Sequence, residues 1–331
     1  MAAAVTNALA DLAAQPSDPG VTDEPTPIAT HSHQAGTVRS ALFLIGHGTR
    51  SDEGFAQFNA LVDRVSSIRP AVLVGSGLIE FAEPDIDTGI DVVVAQGAKR
   101  VVAVPVVLLG AGHMKNDGPD GLRRARERHP DVDFSYARDL GVHPVTLEVA
   151  EERAREAGAG AADAVVMVGR GSSDPDANSD LAKVARLLAD HRGLGTRGDA
   201  SQPLGIVEPA FISLAPPDVS AALDRCYLLG ARKITLGLYF LFTGVLPRRA
   251  ADEARAWADR NPDVSLDIAS ELGPDERIAD LVWHRYDEAS QDAAAMNCDL
   301  CIHRVPLPGY ESRVGEPIAS ATGSYQPQEQ T

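Results

Sequence analysis

The sequence is poor in cysteine, in basic residues and in long apolar runs, and each shortage excludes a class of protein. Only 3 of its 331 residues are Cys, too few for a disulfide framework, which indicates a reducing compartment. The longest apolar run, Val101 to Gly112, is shorter than the roughly 20 residues of a membrane span and contains Pro105. The 30 Lys and Arg stand against 47 Asp and Glu, giving a formal net charge of −17. This charge balance argues against nucleic-acid binding and favours cations as ligands. Together with the few cysteines and the lack of a long apolar run, it leads us to expect a soluble, cytoplasmic protein.

The first 37 residues contain no Lys or Arg and therefore lack the basic segment of a signal peptide. We expect residues 1–37 to be a disordered leader. From Ser40 onward, short apolar runs alternate with segments of helical periodicity, as in Ala41–Ile45 followed by Phe55–Val65. This alternation predicts an α/β fold with a parallel sheet covered by helices on both faces. The third strand is expected over Val101–Leu109.

The second half of the chain repeats the first. Residues 44–49 match residues 167–172, and four later segments match at an offset of 132 or 133 residues. The repeat predicts two tandem copies of a small parallel-sheet domain, residues 38–158 and residues 159–290, with a loop insertion near residues 193–198. A tail, residues 291–331, follows the second copy.

Comparing the two copies separates residues that maintain the fold from residues that carry chemistry. His47 becomes Arg170, Glu80 becomes Ser213 and His113 becomes Leu246, whereas the surrounding glycines and apolar strands persist in both copies. A polar group that one copy lacks is not needed for the fold. We therefore expect one active site, in the first copy.

The three polar residues each follow a predicted strand, and ligands of open parallel sheets bind at the carboxyl ends of strands. Two imidazoles and a carboxylate suit a divalent first-row metal such as Co, Ni, Fe or Zn. The simpler alternative is three unrelated polar residues at strand ends. A phosphate-binding role for Gly46-His47-Gly48 is a weak alternative, because Ser51 stands where the third glycine of a dinucleotide fingerprint belongs.

Four segments resemble the sirohydrochlorin chelatase family: residues 44–50, residues 77–80 with Pro84, residues 104–113 and residues 140–144. The two-copy chain with a cysteine-bearing tail is similar to the long cobaltochelatases of cobalamin biosynthesis within that family. The resemblance implies a lyase-type metal chelatase made of two chelatase domains. It implies that Co2+ is inserted into sirohydrochlorin with loss of two protons and no cofactor, that His47 and His113 bind the metal, and that Glu80 assists.

A tetrapyrrole rich in carboxylates needs local cations in so acidic a protein. The candidates lie just beyond the strand ends of both copies, and we expect them to bind the substrate: Arg50, Lys115, Arg123, Arg124, Arg170, Arg248 and Arg249. Surface arginines at the starts of helices are the alternative for each of them.

The tail contains Met-x-Cys-x-x-Cys, with Cys298 and Cys301, followed by His303. Two thiolates and an imidazole leave a zinc or iron–sulfur site one ligand short, and a second chain could complete it. The resemblance implies an iron–sulfur centre in some relatives. An iron–sulfur cluster, a zinc site, a redox pair and an unoccupied motif all remain open, as does oligomerisation through the tail.

Two other functions compete with cobalt insertion. The same site could insert iron and make sirohaem, because imidazole and carboxylate discriminate weakly between Co2+ and Fe2+. A non-catalytic metal-trafficking or ligand-binding protein would bind its ligand without turnover.

Overall fold

The computed structural model describes residues 39–160, 163–190, 205–291 and residue 293. The expected leader and the insertion loop lie outside these described residues, as does the cysteine-bearing tail apart from residues 291 and 293. In the first repeat, the elements in chain order are β1 (Ser40–Gly46), α1 (Asp52–Ile68), β2 (Leu73–Leu78), α2 (Ile86–Ala95), β3 (Arg100–Pro105), a π-helical turn (His113–Asp117), α3 (Gly118–Arg128), β4 (Asp133–Tyr136) and α4 (Pro144–Glu156).

The second repeat has the same order without the π-helical turn. Its elements are β5 (Ala164–Gly169), α5 (Pro175–Asp190), β6 (Val207–Phe211), α6 (Val219–Leu228), β7 (Lys233–Leu238), α7 (Val245–Arg260), β8 (Ser265–Ile268) and α8 (Glu276–Ser290). The strand orders are β2-β1-β3-β4 and β6-β5-β7-β8, and every pair is parallel. The prediction of two tandem parallel-sheet domains with helices on both faces is confirmed.

The third strand ends earlier than predicted, at Pro105 and not at Leu109. Its neighbours β1 and β4 end at Gly46 and Tyr136, so the residues after Pro105 have almost no strand left to pair with. The chain from residue 106 onward instead turns along the carboxyl edge of the sheet and leads to His113. This early end places His113 beside the other strand ends.

Short polar side chains fix where the helices begin. The Ser51 hydroxyl accepts a hydrogen bond from the Gly54 amide at 3.3 Å, and the Asp85 carboxylate accepts one from Thr88 at 2.7 Å. Asp218 caps α6 in the same way, 2.8 Å from the Ala221 amide. Such caps satisfy amide groups that have no partner inside the helix. Helices α2 and α6, which occupy equivalent positions in the two repeats, therefore begin with the same aspartate cap.

The last helix of each repeat packs on the other repeat. Helix α8 lies against β3, β4 and α1, whereas α4 lies against β7 and α5. The Trp283 indole of α8 is buried and donates to the Val65 carbonyl of α1 at 3.0 Å. A single apolar core, which includes Leu44, Met167 and Trp283, therefore lies between the sheets.

Two further cores cover the outer faces of the sheets, under α2 and α3 in the first repeat and under α6 and α7 in the second. The sequence repeat divides the chain near residue 158. The packing does not follow this division, because the last helix of each repeat packs on the other repeat. Within the described ranges, no helix combines the length and the apolar character needed to cross a membrane.

Candidate functional site

The turn that carries His47 closes directly onto the loop that carries Glu80. The Glu80 amide donates to the His47 carbonyl at 3.0 Å. Gly48 has φ +91°, and a Cβ at this position would lie 1.7 Å from the Glu80 carbonyl oxygen. Gly171 repeats the arrangement in the second copy, with φ +81° and 1.9 Å to the Ser213 carbonyl oxygen. The glycine therefore serves this close approach in both copies, and only the first copy adds an imidazole and a carboxylate.

His113 begins the π-helical turn and faces His47. The two ring centroids lie 4.6 Å apart with an interplanar angle of 83°. The Nδ1 atom of His113 lies 2.5 Å from the Asp117 carboxylate, which can only accept, so Nδ1 carries the proton. Nε2 of His113 is therefore the nitrogen with a lone pair for a metal. A carboxylate behind a ligating imidazole commonly fixes its tautomer and orientation.

The protonation state of His47 follows from its two neighbours. Nη1 of Arg170 lies 3.0 Å from Nε2, and Nδ1 lies 3.3 Å from the Gly48 carbonyl oxygen. Because arginine can only donate, Nε2 must accept and Nδ1 carries the proton. Burial, then the positive charge of Arg170, then His113 lower the pKa of His47, and the Glu80 charge opposes them. His47 is therefore a neutral imidazole at neutral pH, the form that binds metals.

Glu80 lines the same cleft as the two histidines. Across the described ranges, however, no three His, Cys, Asp or Glu side chains are gathered closely enough to hold a metal ion by themselves. The structure thus brings His47 and His113 together, with Glu80 nearby as a negative charge. This arrangement suits a metal that passes through the site, because a resident ion usually has more protein ligands.

The cleft that contains these groups lies between the carboxyl edges of the two sheets and has a volume of about 640 Å3. This volume is typical of ligand sites. Two large apolar side chains at equivalent positions of the repeats line it, Phe81 and Leu214. They are 50% and 63% exposed, and both have positive φ, at 70° and 63°. Exposed apolar groups held in a costly backbone conformation indicate contact with a ligand.

Two of the seven predicted substrate-binding cations line the cleft, Arg50 and Arg170. The Arg50 guanidinium lies over the Phe81 ring, 4.6 Å from its centroid. Arg170 contacts His47, as described above. Both stay candidates for binding an anionic ligand.

The other five predicted cations do not line the cleft, and each of them is paired with acidic side chains. Lys115 is buried between Asp174 and Asp176 of the second repeat. The remaining four form exposed ion pairs: Arg123 with Asp120 and Glu127, Arg124 with Asp87 and Asp120, Arg248 with Glu53, and Arg249 with Glu253. The tail residues Cys298, Cys301 and His303 lie outside the described residues.

Three cleft residues escaped the sequence interpretation: Asp117, Phe81 and Leu214. Asp117 had a usable signal, because a His and an Asp four residues apart share one face of a helical turn. Phe81 and Leu214 had a weaker one, since both occupy the same position in the repeat. A single apolar residue in a sequence does not show whether its side chain will be exposed in a cleft.

A family model described as CbiX matches this chain twice, over residues 41–157 and 164–289. The chain belongs to the CbiX family. The two matches coincide with the two repeats, so the site with two imidazoles lies in the first CbiX repeat and Arg170 in the second. Membership makes the protein a metal chelatase of the lyase type.

Similar proteins within the family differ in the metal that their names state. A sirohydrochlorin cobaltochelatase of Priestia megaterium is 35% identical over 82% of this chain and 86% of its own length. A sirohydrochlorin ferrochelatase of Bacillus subtilis is 27% identical over 77% of this chain and 94% of its own. The solved structure of SirB from Bacillus subtilis with Fe3+ is 27% identical, with a TM-score of 0.67 over 77% of this chain and 98% of that one. None of these names mentions an iron–sulfur cluster.

Proposed function

We propose that this protein inserts Co2+ into sirohydrochlorin. The observation that carries the proposal is the pair of facing imidazoles, with ring centroids 4.6 Å apart, in a cleft between two CbiX repeats. The relative that is 35% identical over most of both chains is named a cobaltochelatase, which supports cobalt. The metal is a substrate here, held only until the macrocycle takes it.

The chemistry exchanges two pyrrole protons for one divalent cation. Nε2 of His47 and Nε2 of His113 hold the cation beside the ring. As each ring nitrogen forms a bond to the metal, its N–H bond breaks and the electron pair stays on nitrogen. Two protons leave for each metal inserted, so charge and atoms balance. Glu80, whose charge already acts on His47, accepts the two protons one after the other and passes each of them to water.

The cleft walls suit a flat ring with charged edges. Phe81 and Leu214 present apolar surface from opposite repeats, which can contact the two faces of a macrocycle. Arg50 and Arg170 supply positive charge for peripheral carboxylates, locally opposing the net charge of −17. In this proposal the second repeat contributes substrate binding, while the first contributes metal chemistry.

Insertion of iron is the alternative, because the ferrochelatase of Bacillus subtilis matches 94% of its length to this chain. Imidazole binds Fe2+ and Co2+ with similar preference, so the protein ligands do not decide between them. A non-catalytic metal-trafficking or ligand-binding protein is the alternative of another class. It would bind metal or tetrapyrrole without releasing a metallated product.

The test is an anaerobic absorbance time course of sirohydrochlorin with enzyme and either Co2+ or Fe2+. We expect turnover with Co2+ to exceed turnover with Fe2+, and His113→Ala to lose at least about 100-fold in rate, the usual effect of removing a group that handles the reacting atom. His129→Ala is the matched control, since His129 pairs with Asp91 at 2.6 Å and does not line the cleft. Equal rates for His113→Ala and the wild type would refute the site, and faster Fe2+ insertion would refute cobalt.

A further inference from the structure

Arg170 occupies the one lone pair through which His47 could bind a metal. A neutral imidazole has a single unprotonated nitrogen, and in His47 this is Nε2. Nη1 of Arg170 donates a hydrogen bond to it at 3.0 Å. A metal ion needs the same lone pair, at a distance of about 2.0–2.1 Å. The cation and the guanidinium therefore cannot both bind His47.

His113 differs from its partner in this respect. Asp117 accepts from Nδ1, and among the described residues no donor is bonded to Nε2 of His113. One imidazole of the pair thus has its metal-binding lone pair free, while the other has it covered. The metal site of the free protein is therefore incomplete, because Arg170 of the second repeat covers the lone pair of His47.

Among the described residues, Arg170 also lacks the acidic partners that hold most of the arginines. Its side chain is exposed, and in the described part of the chain it forms no ion pair, although five of the other six predicted cations, all except Arg50, are paired. Its contact with a neutral imidazole uses one of the five guanidinium N–H groups. A carboxylate offers arginine two charge-assisted hydrogen bonds, which are stronger than a bond to a neutral nitrogen.

We propose that Arg170 and the incoming metal compete for the lone pair of His47, and that a carboxylate of the tetrapyrrole draws Arg170 away and so releases His47 for the metal. This inference rests on the proposed function, because it assumes that His47 is a metal ligand and that the second substrate is an anionic macrocycle. In this inference, Arg170 couples binding of the macrocycle to binding of the metal. The macrocycle binds first and completes the metal site, so that free metal binds weakly to the empty protein.

The test measures Co2+ affinity of the metal-free protein by calorimetry, without any tetrapyrrole. Arg170→Leu removes the competing donor, and we expect its Kd for Co2+ to fall about tenfold, the equivalent of one hydrogen bond from a charged donor. Arg50→Leu is the matched control, because it removes one positive charge from the same cleft but no bond to His47. We expect its Kd for Co2+ to change less than about twofold, since exposed charges are well screened.

Two further measurements separate competition from general damage. In a His47→Ala background, Arg170→Leu should no longer tighten Co2+ binding. In turnover assays, Arg170→Leu should raise the KM for sirohydrochlorin, so that the two substrates respond in opposite directions, which misfolding would not produce. Equal Kd changes in Arg170→Leu and Arg50→Leu, or a gain that persists without His47, would overturn the inference. If the wild type inserts cobalt while these outcomes occur, only this inference fails and the proposed function stands.

Discussion

Replacing Lys115 with Met should destabilise the protein far more than replacing any of its exposed arginines. Nζ of Lys115 lies 2.8 Å from Asp174 and 3.1 Å from Asp176, and the three side chains are only 7%, 10% and 9% exposed. Burial alone would lower the pKa of Lys115, but its bonds to the two carboxylates outweigh burial and raise it. The variant leaves two buried carboxylates without their cation. Breaking a buried pair in this way costs about 3–5 kcal/mol, a large part of the total of about 5–15 kcal/mol for a typical domain.

The free energy of unfolding from urea titrations at pH 7.5 measures this loss. Arg124→Met is the matched control, because Arg124 also contacts two carboxylates, those of Asp87 and Asp120, but its side chain is 39% exposed. We expect the control to lose less than about 1 kcal/mol, as exposed ion pairs do. Adding Asp174→Asn and Asp176→Asn to Lys115→Met should recover most of the loss, because the unpaired charges are then gone.

A loss below about 1 kcal/mol for Lys115→Met, or no recovery on neutralising the two aspartates, would refute this reasoning. The same substitution should also affect the site. Lys115 belongs to the π-helical turn that begins at His113, and its partners belong to the second repeat. The folded fraction of Lys115→Met should therefore also insert metal more slowly than the wild type.

Two further predictions concern the backbone at the site and a buried acid. Gly48→Ala should slow metal insertion at least about tenfold, because a Cβ 1.7 Å from the Glu80 carbonyl must push the His47 turn away. Gly230→Ala, at φ +97° with nothing within 4 Å, should cost about 1–2 kcal/mol of unfolding free energy and leave insertion unchanged; equal rates for both variants would contradict the clash. Burial raises the pKa of Asp139 to about 6, above the value of about 3.9 in an unfolded chain, so the folded state binds this proton more tightly and stability is lost as the pH rises from about 4 through 6. Asp139→Asn should therefore gain about 3 kcal/mol over the wild type at pH 7.5 and only about 1 kcal/mol at pH 4.5 in urea titrations. A difference independent of pH would show that Asp139 does not titrate this way.

The sequence was sufficient for the repeats and for the meeting of His47, Glu80 and His113 at one cleft. These predictions depend on order along the chain and on the rule that parallel strands end at a common edge. The start of α4 is also set locally, since Nδ1 of His143 accepts a hydrogen bond from the Val145 amide at 3.2 Å. Local patterns and strand order therefore predicted which three polar side chains share the cleft.

A single sequence does not show which charged side chains pair across the fold. It also does not show that α4 and α8 each pack on the other repeat. Nothing near Lys115 in the chain indicates that Asp174, 59 residues away, will bury it. The apolar stripe of α8 shows that one face is buried but not which sheet buries it. Arg124 gives a second example, because one of its partners, Asp87, lies on a neighbouring helix and only the tertiary fold reveals this pair.

The crossed placement of α4 and α8 determines when each half of the molecule can be completed during synthesis. The inner face of the first sheet is covered in part by Trp283 and its neighbours on α8, which the ribosome makes more than 200 residues after β1. In nascent chains from which only the first repeat has emerged, the inner apolar face of the first sheet is therefore still exposed, however well that repeat folds by itself. Splitting the gene at its internal symmetry point would impose the same defect permanently on both fragments, which would regain their buried surfaces only by finding each other.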